Sequence, residues 1–277
     1  MDDGLVFDVG VNNGDDTAYY LHRGHRVVGI EANPAMVAAC RERFAPEIAQ
    51  GRLTLLNVAI APEDGTATFY VSQGNRGVWS SLDYEEASRE GFTVAETRVA
   101  ARRLRGLLDE YGVPFYLKID IEGAGSCCLA DLAPGAAPKY LSFEADEGSL
   151  DDLFTAARCG YTRFKLIDQV HGFRQAMPSP LHTWGLVRDE GKDLVRRALR
   201  GVPALPSAVQ LLRKLRPASG ATSTERDTWR WPVSSSGPMA EETDGPWRSL
   251  EDVAYAWLYF VRTTTTASWY DVHCARD

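Results

Sequence analysis

The run Leu5-Val6-Phe7-Asp8-Val9-Gly10-Val11-Asn12-Asn13-Gly14-Asp15-Asp16-Thr17 leaves this chain little choice about how it starts to fold. A short apolar run, the mark of a buried strand, meets an acidic residue and two glycines, and the residues past Gly14 suit the first turn of a helix. Strand, tight Gly loop, helix is the opening of a nucleotide-binding βαβ unit. Gly10 and Gly14 let the backbone turn sharply and lie close to a ligand. The next apolar run, Val27-Val28-Gly29-Ile30, ends at Glu31, where such units place an acid against the ribose hydroxyls.

Two cofactor classes use this layout. A dinucleotide site has three glycines and sets a pyrophosphate on a helix N-terminus. Here Asn12 replaces the middle glycine, and Asp15 and Asp16 put negative charge where a pyrophosphate would sit. Asp8, at the strand end, is placed to face a cationic ammonium or sulfonium. A ligand with an adenosine and a positive amino-acid tail, S-adenosyl-L-methionine (SAM), fits better than NAD. An NAD-linked Rossmann oxidoreductase and a non-catalytic SAM-binding protein are the alternatives.

Phe7-Asp8-Val9-Gly10 with Asn12, Gly14 and Thr17, followed by Gly29-Ile30-Glu31-Ala32-Asn33-Pro34, resembles the FkbM-type SAM-dependent methyltransferases. Further matches are Asn57-Val58-Ala59-Ile60, Ser80-Ser81-Leu82, Leu117-Lys118-Ile119-Asp120-Ile121-Glu122-Gly123 and Phe143-Glu144, in the family's order over roughly residues 4 to 170. Ser-Gly-Pro at 236 to 238 and Trp269-Tyr270-Asp271-Val272-His273 match less securely. The resemblance implies an α/β, Rossmann-like class I methyltransferase fold. Its mostly parallel seven-stranded sheet would carry helices on both faces and a C-terminal cap region. It also implies an O-methyltransferase acting on a hydroxyl of a sugar or secondary metabolite, free or carrier-bound. Cofactor contacts are expected from Asp8, Gly10, Asn12, Gly14, Thr17, Glu31, Ala32 and Asp120, with Asn57 or Ala59 beside the adenine.

Along the chain, helices are expected from Asp15 to about Arg23 and from Pro34, with Asn33 as N-cap. Strands are expected at Arg26 to Glu31, Arg52 to Ile60, Thr66 to Val71, Phe115 to Ile121, Lys139 to Ala145 and Phe164 to Gln169, with Thr183 to Val187 completing an antiparallel hairpin. Residues 73 to 96 read as a long polar loop. In the strand 115 to 121, Lys118, Asp120 and Glu122 alternate with apolar residues and so share a face. A parallel sheet cannot bury three charges cheaply, so they should stand at the strand's C-terminal end, where open α/β sheets bind ligands. Residues 1 to 190 are expected to form the SAM-binding domain. Residues 191 to 277 would form an extension packed on that domain, supplying the active-site roof.

An alcohol must lose its proton as it is methylated, so a general base is expected. Asp120 and Glu122 lead, followed by Glu144, His171 and His182, with Lys118 orienting a carboxylate or stabilising an oxyanion. Asp120, Glu122, Glu144 and Asp146 could converge on Mg²⁺, but no His/Cys spacing supports zinc, and metal independence is the expectation. A formal charge of −8 argues against a nucleic-acid binder. Five cysteines without disulfide spacing, no signal peptide before Leu5 and no membrane-length apolar run point to a cytoplasmic protein with a small-molecule acceptor. The block Lys192 to Arg216 is basic, either a solvated helix face or a docking surface for an anion. Oligomeric state is not legible.

Overall fold

The computed structural model describes residues 4–73, 79–146, 148–178, 229–232, 235–262 and 268–277. Met1–Ala176 and Trp231–Asp277 form one compact unit, and Met177–Arg230 form a second. The first unit is built on an eight-stranded sheet. Its strands are β1 (Leu5–Val9), β2 (Arg26–Ile30), β3 (Leu53–Leu56), β7 (Tyr116–Ile119), β8 (Tyr140–Glu144), β9 (Arg163–Asp168), β10 (Arg174–Gln175) and β11 (Tyr270–Ala275). They lie in the order β10-β9-β11-β8-β7-β1-β2-β3. The contacts of β1 with β2 and β7, of β2 with β3 and of β7 with β8 are parallel, while β11 runs antiparallel to both β8 and β9. Seven strands form the expected doubly wound sheet, and the two-residue β10 adds an eighth at the edge.

Three strands β4 (Val58–Ile60), β5 (Gly65–Ser72) and β6 (Val94–Arg102) make a separate small sheet, with β6 between the other two. The long strand expected from Arg52 to Ile60 is therefore broken at Asn57. Its side chain donates from Nδ2 to the carbonyls of Glu31 and Ala32, both at 3.0 Å, which turns the chain out of the main sheet. The expected loop 73 to 96 is shorter than read, because Val94 onward pairs with β5 over eight residues.

Helix α1 (Asp15–His22) packs on β1 and β2, and α2 (Pro34–Arg43) starts from Asn33, whose side chain accepts from Ala35 N–H. Val37, Cys40 and Phe44 bury the sheet-facing side of α2, as their helical spacing requires. The remaining helices are α3 (Ala45–Ala49), α4 (Tyr84–Ala87), α5 (Leu104–Tyr111), α6 (Gly125–Ala130), α7 (Ser149–Arg158) and α8 (Leu250–Trp257). Thr183 to Val187 and the basic block 192 to 216 lie outside the described residues. The antiparallel place between β8 and β9 is filled by Tyr270–Ala275. The tail from Trp231 belongs to the sheet-bearing unit. Among the described residues no helix is long and apolar enough to cross a membrane, and all five cysteines are unpaired.

Candidate functional site

A cavity of about 290 Å³ opens at the carboxyl ends of β1, β2, β7 and β8. One end is formed by Gly10, Asn12, Glu31, Ala32, Asn33 and Met36, with Ala59, Ile60 and Phe69 from the small sheet. The other end carries Asp120, Glu122, Glu144 and Asp271, with Ser80, Ser81, Trp79 and Trp269 around them.

At the first end, Glu31 Oε2 accepts the Asn12 N–H and Oε1 the Asn33 N–H, both at 2.7 Å. Burial raises its pKa against the pull of these two amides. Each oxygen keeps a second lone pair, so the carboxylate can still accept from a diol. Asn57 does not line the cavity; it holds the backbone of Glu31 and Ala32, while Ala59 takes the wall position.

The two loop glycines are each required by the protein's own packing. Gly10 has φ +92°, and a Cβ there would lie 1.8 Å from the Asp120 carbonyl oxygen. Gly14 (φ +83°) ends the loop where a Cβ would meet Phe44 and Cys40. Both positions need the left-handed region and the missing side chain.

Asp8, Thr17 and Lys118 lie below the cavity, which corrects the expectation that they face the ligand. Asp8 and Lys118 are register partners on neighbouring parallel strands, so their side chains share the face covered by α1. Asp8 is fully buried and accepts from Thr17 Oγ1 at 2.5 Å. Lys118 Nζ lies 2.8 Å from Asp16 Oδ2, 3.1 Å from Asp120 Oδ2 and 3.4 Å from Asp8 Oδ1. Burial works against this ammonium, but Asp16, Asp8 and Asp120 outweigh it and hold its pKa well above lysine's ordinary value. Burial raises Asp8 in spite of Lys118, which it shares with two other carboxylates. The three charges of the 118–122 segment therefore separate. Lys118 is buried with compensation, Asp120 stands at the rim, and Glu122 lies beyond the strand in the cavity wall.

The carboxylates at the second end are built differently from one another. Glu122 is raised to about 7 by burial, with Arg89 (2.7 Å away) pulling it down and Asp120 pushing it up. Its backbone carbonyl accepts from Ser81 Oγ at 2.8 Å. Glu144 is pushed well above its ordinary value by burial and then by Glu122, Asp120 and Asp271. Asp271 sits directly across from Glu144 in the β8–β11 pair and is likewise raised by burial and by Asp120.

His171 does not reach this cavity. It is exposed in the turn after β9, where Nδ1 meets Asp168 Oδ2 at 2.9 Å. His182 lies outside the described residues. Asp146 caps the turn before α7, accepting from Gly148 N–H. Among the described residues no group of three or more His, Cys, Asp or Glu side chains is arranged to hold a metal ion. The sequence reading gave Asp16 and Asp271 no site role. For Asp271 the available signal was the tail match at 269 to 273.

The model of the methyltransferase FkbM domain matches residues 8–162, more than half of the chain. The ribosomal RNA small subunit methyltransferase H of Gemmatimonas aurantiaca is 38% identical over 96 residues, 33% of this chain and 30% of that protein. The chain thus spans under a third of that relative's length. Among solved structures, the C-terminal domain of precorrin-6Y C5,15-methyltransferase from Rhodobacter capsulatus is 15% identical. It covers 64% of this chain and 71% of its own, with a TM-score of 0.33. The 1,6-didemethyltoxoflavin-N1-methyltransferase of Burkholderia thailandensis, solved with S-adenosylhomocysteine, is 13% identical over 60% of this chain and 63% of its own, with a TM-score of 0.33. By this domain match over residues 8–162, the chain belongs to the FkbM methyltransferase family.

Proposed function

We propose that this protein is a SAM-dependent O-methyltransferase whose acceptor is a hydroxyl of a sugar or secondary metabolite. The observation that carries this reading is one cavity with Glu31 at one end and Glu122, raised to about 7, at the other. The residues fit the cofactor: Glu31 has lone pairs left for a ribose diol, and Asn12, Ala32 and Ala59 frame a slot beside it. SAM when bound supplies an activated methyl group, so the protein's share is alignment and proton removal.

In this reading the hydroxyl proton passes to a carboxylate oxygen of Glu122, whose pKa lies near the working pH, as an efficient base requires. Arg89 and Ser81 hold Glu122 in place. Glu144 and Asp271 complete the wall, and Asp120, tied to Lys118, faces the cofactor's amino-acid end. Neither His171 nor Asp8 touches a reacting group. An NAD-linked reaction fits less well, because Asp15 and Asp16 occupy the first turn of α1, where a pyrophosphate needs positive potential.

Incubation with SAM and a panel of hydroxylated acceptors tests the proposal by mass spectrometry. The expected result is an acceptor gaining one CH₂ in mass together with S-adenosylhomocysteine. Methylation at nitrogen or carbon across the panel, with no hydroxyl product, contradicts it.

A further inference from the structure

Four segments, drawn from the start, middle and tail of the sequence, meet beneath the cavity rim. Asp8 comes from β1, Asp16 from α1, Lys118 and Asp120 from the end of β7, and Ser235-Ser236 from the tail. The Ser236 N–H lies 3.1 Å from both carboxylate oxygens of Asp16, and Ser235 Oγ also donates to Oδ1. Ser236 Oγ then reaches the other way and donates to Asp120 Oδ2 at 3.4 Å. Asp16, Ser235 and Ser236 are buried, whereas the Asp120 side chain is 43% exposed.

That difference in burial separates two jobs. The Asp16 contacts fasten the tail to α1 and are sufficient as a structural latch. The Ser236 hydroxyl instead goes to an exposed carboxylate, where a tether adds little to folding because water would serve the oxygen as well. Its effect is on orientation: Oδ2 of Asp120 is taken by Lys118 and Ser236, which leaves Oδ1 for a ligand in the cavity. Gly237, at φ +84° against the Phe173 ring, fixes where the serine backbone can run.

Building on the SAM reading of the cavity, we infer that Ser236, braced by Asp16, is a positioning residue. It aims the Asp120 carboxylate at the ammonium of the cofactor's amino-acid tail. The tail of the chain thereby completes the cofactor site from 116 residues away.

Calorimetric titration of the full chain with two probes tests this. S-adenosylhomocysteine carries the ammonium, and 5′-methylthioadenosine keeps the adenosine but lacks the amino-acid group. Ser236→Ala should weaken S-adenosylhomocysteine binding by about 2- to 10-fold, the scale of one ordinary hydrogen bond. Binding of 5′-methylthioadenosine should stay within about twofold, and Ser236→Thr, which keeps the hydroxyl, should bind both probes like the parent. An unchanged affinity for S-adenosylhomocysteine in Ser236→Ala overturns the inference. So does an equal loss for both probes, or an equal loss in the Ala and Thr variants. A parent protein that binds neither probe instead refutes the cofactor reading of the cavity.

Discussion

At Gly10 a single missing atom joins two strands. The Asp120 carbonyl occupies the space a Cβ would fill, and the backbone is left-handed as well. Gly10→Ala should therefore cost about 4 kcal/mol or more, the range reached when a clash and backbone strain coincide; urea denaturation measures it. Glu122 makes a prediction of the opposite kind, in chemistry rather than in folding. Its folded pKa lies above the ordinary carboxylate value, so its protonated form favours the folded state. That contribution is complete below pH 4.5 and is lost as pH rises to about 7. The same titration should appear in turnover. The acceptor kcat/KM should climb with pH through a midpoint near 7 and lose this limb in Glu122→Gln, with a fall of about 10²- to 10⁴-fold. An unchanged pH profile in Glu122→Gln would move the base elsewhere.

Among the elements, those carried by local pattern were legible and those carried by long-range pairing were not. Asn33-Pro34 marked the start of α2, and the apolar runs marked β1, β2, β7 and β8, because caps and buried strands leave their signature within a few residues. The break at Asn57 was hidden, since its cause is a side chain bonded to carbonyls 25 and 26 residues earlier. Strand β11 was missed for a related reason: Asp271 and His273 are polar residues buried inside a sheet. His273 has neither ring nitrogen hydrogen-bonded among the described residues. Burial, with Lys165 adding to it, lowers its pKa to about 3. The unfolded chain therefore binds the extra proton between that value and 6.5, and the stability from neutral His273 is lost as pH falls through this window. His273→Leu should remove the loss, so the variant gains on the parent as pH drops from 7 to 4, by an amount on the order of 2–4 kcal/mol. Denaturation midpoints at the two pH values give the answer. A difference that does not change with pH would place the titration elsewhere.

For the whole molecule, the consequential departure is that Tyr270–Ala275 forms an interior strand of the sheet. The sequence placed Gly10, Asn12, Glu31, Ala32, Ala59, Asp120, Glu122 and Glu144 at one site, and the cavity brings all of them together. It could not show that Asp8 and Lys118 turn to the α1 side, because strand alternation fixes the face only once the register with a neighbouring strand is known. Nor could it show that Asp271 and Trp269 close the cavity. Deleting residues 268–277 removes β11, with its fully buried Val272, Cys274 and Ala275, and leaves β8 and β9 without their shared neighbour. The shortened protein should lose cooperative unfolding altogether, which circular dichroism against temperature will show; a sharp transition near the parent's would mean that the sheet closes without its tail.

The central feature is the cavity that joins Glu31 to Glu122 and Glu144. Isothermal titration with S-adenosylhomocysteine measures this most directly. The expected result is saturable one-to-one binding, weakened about 10-fold or more in Glu31→Ala, where a charged acceptor of the diol and of two backbone amides is lost together. Absence of binding by the parent protein, or equal affinity in Glu31→Ala, would contradict it.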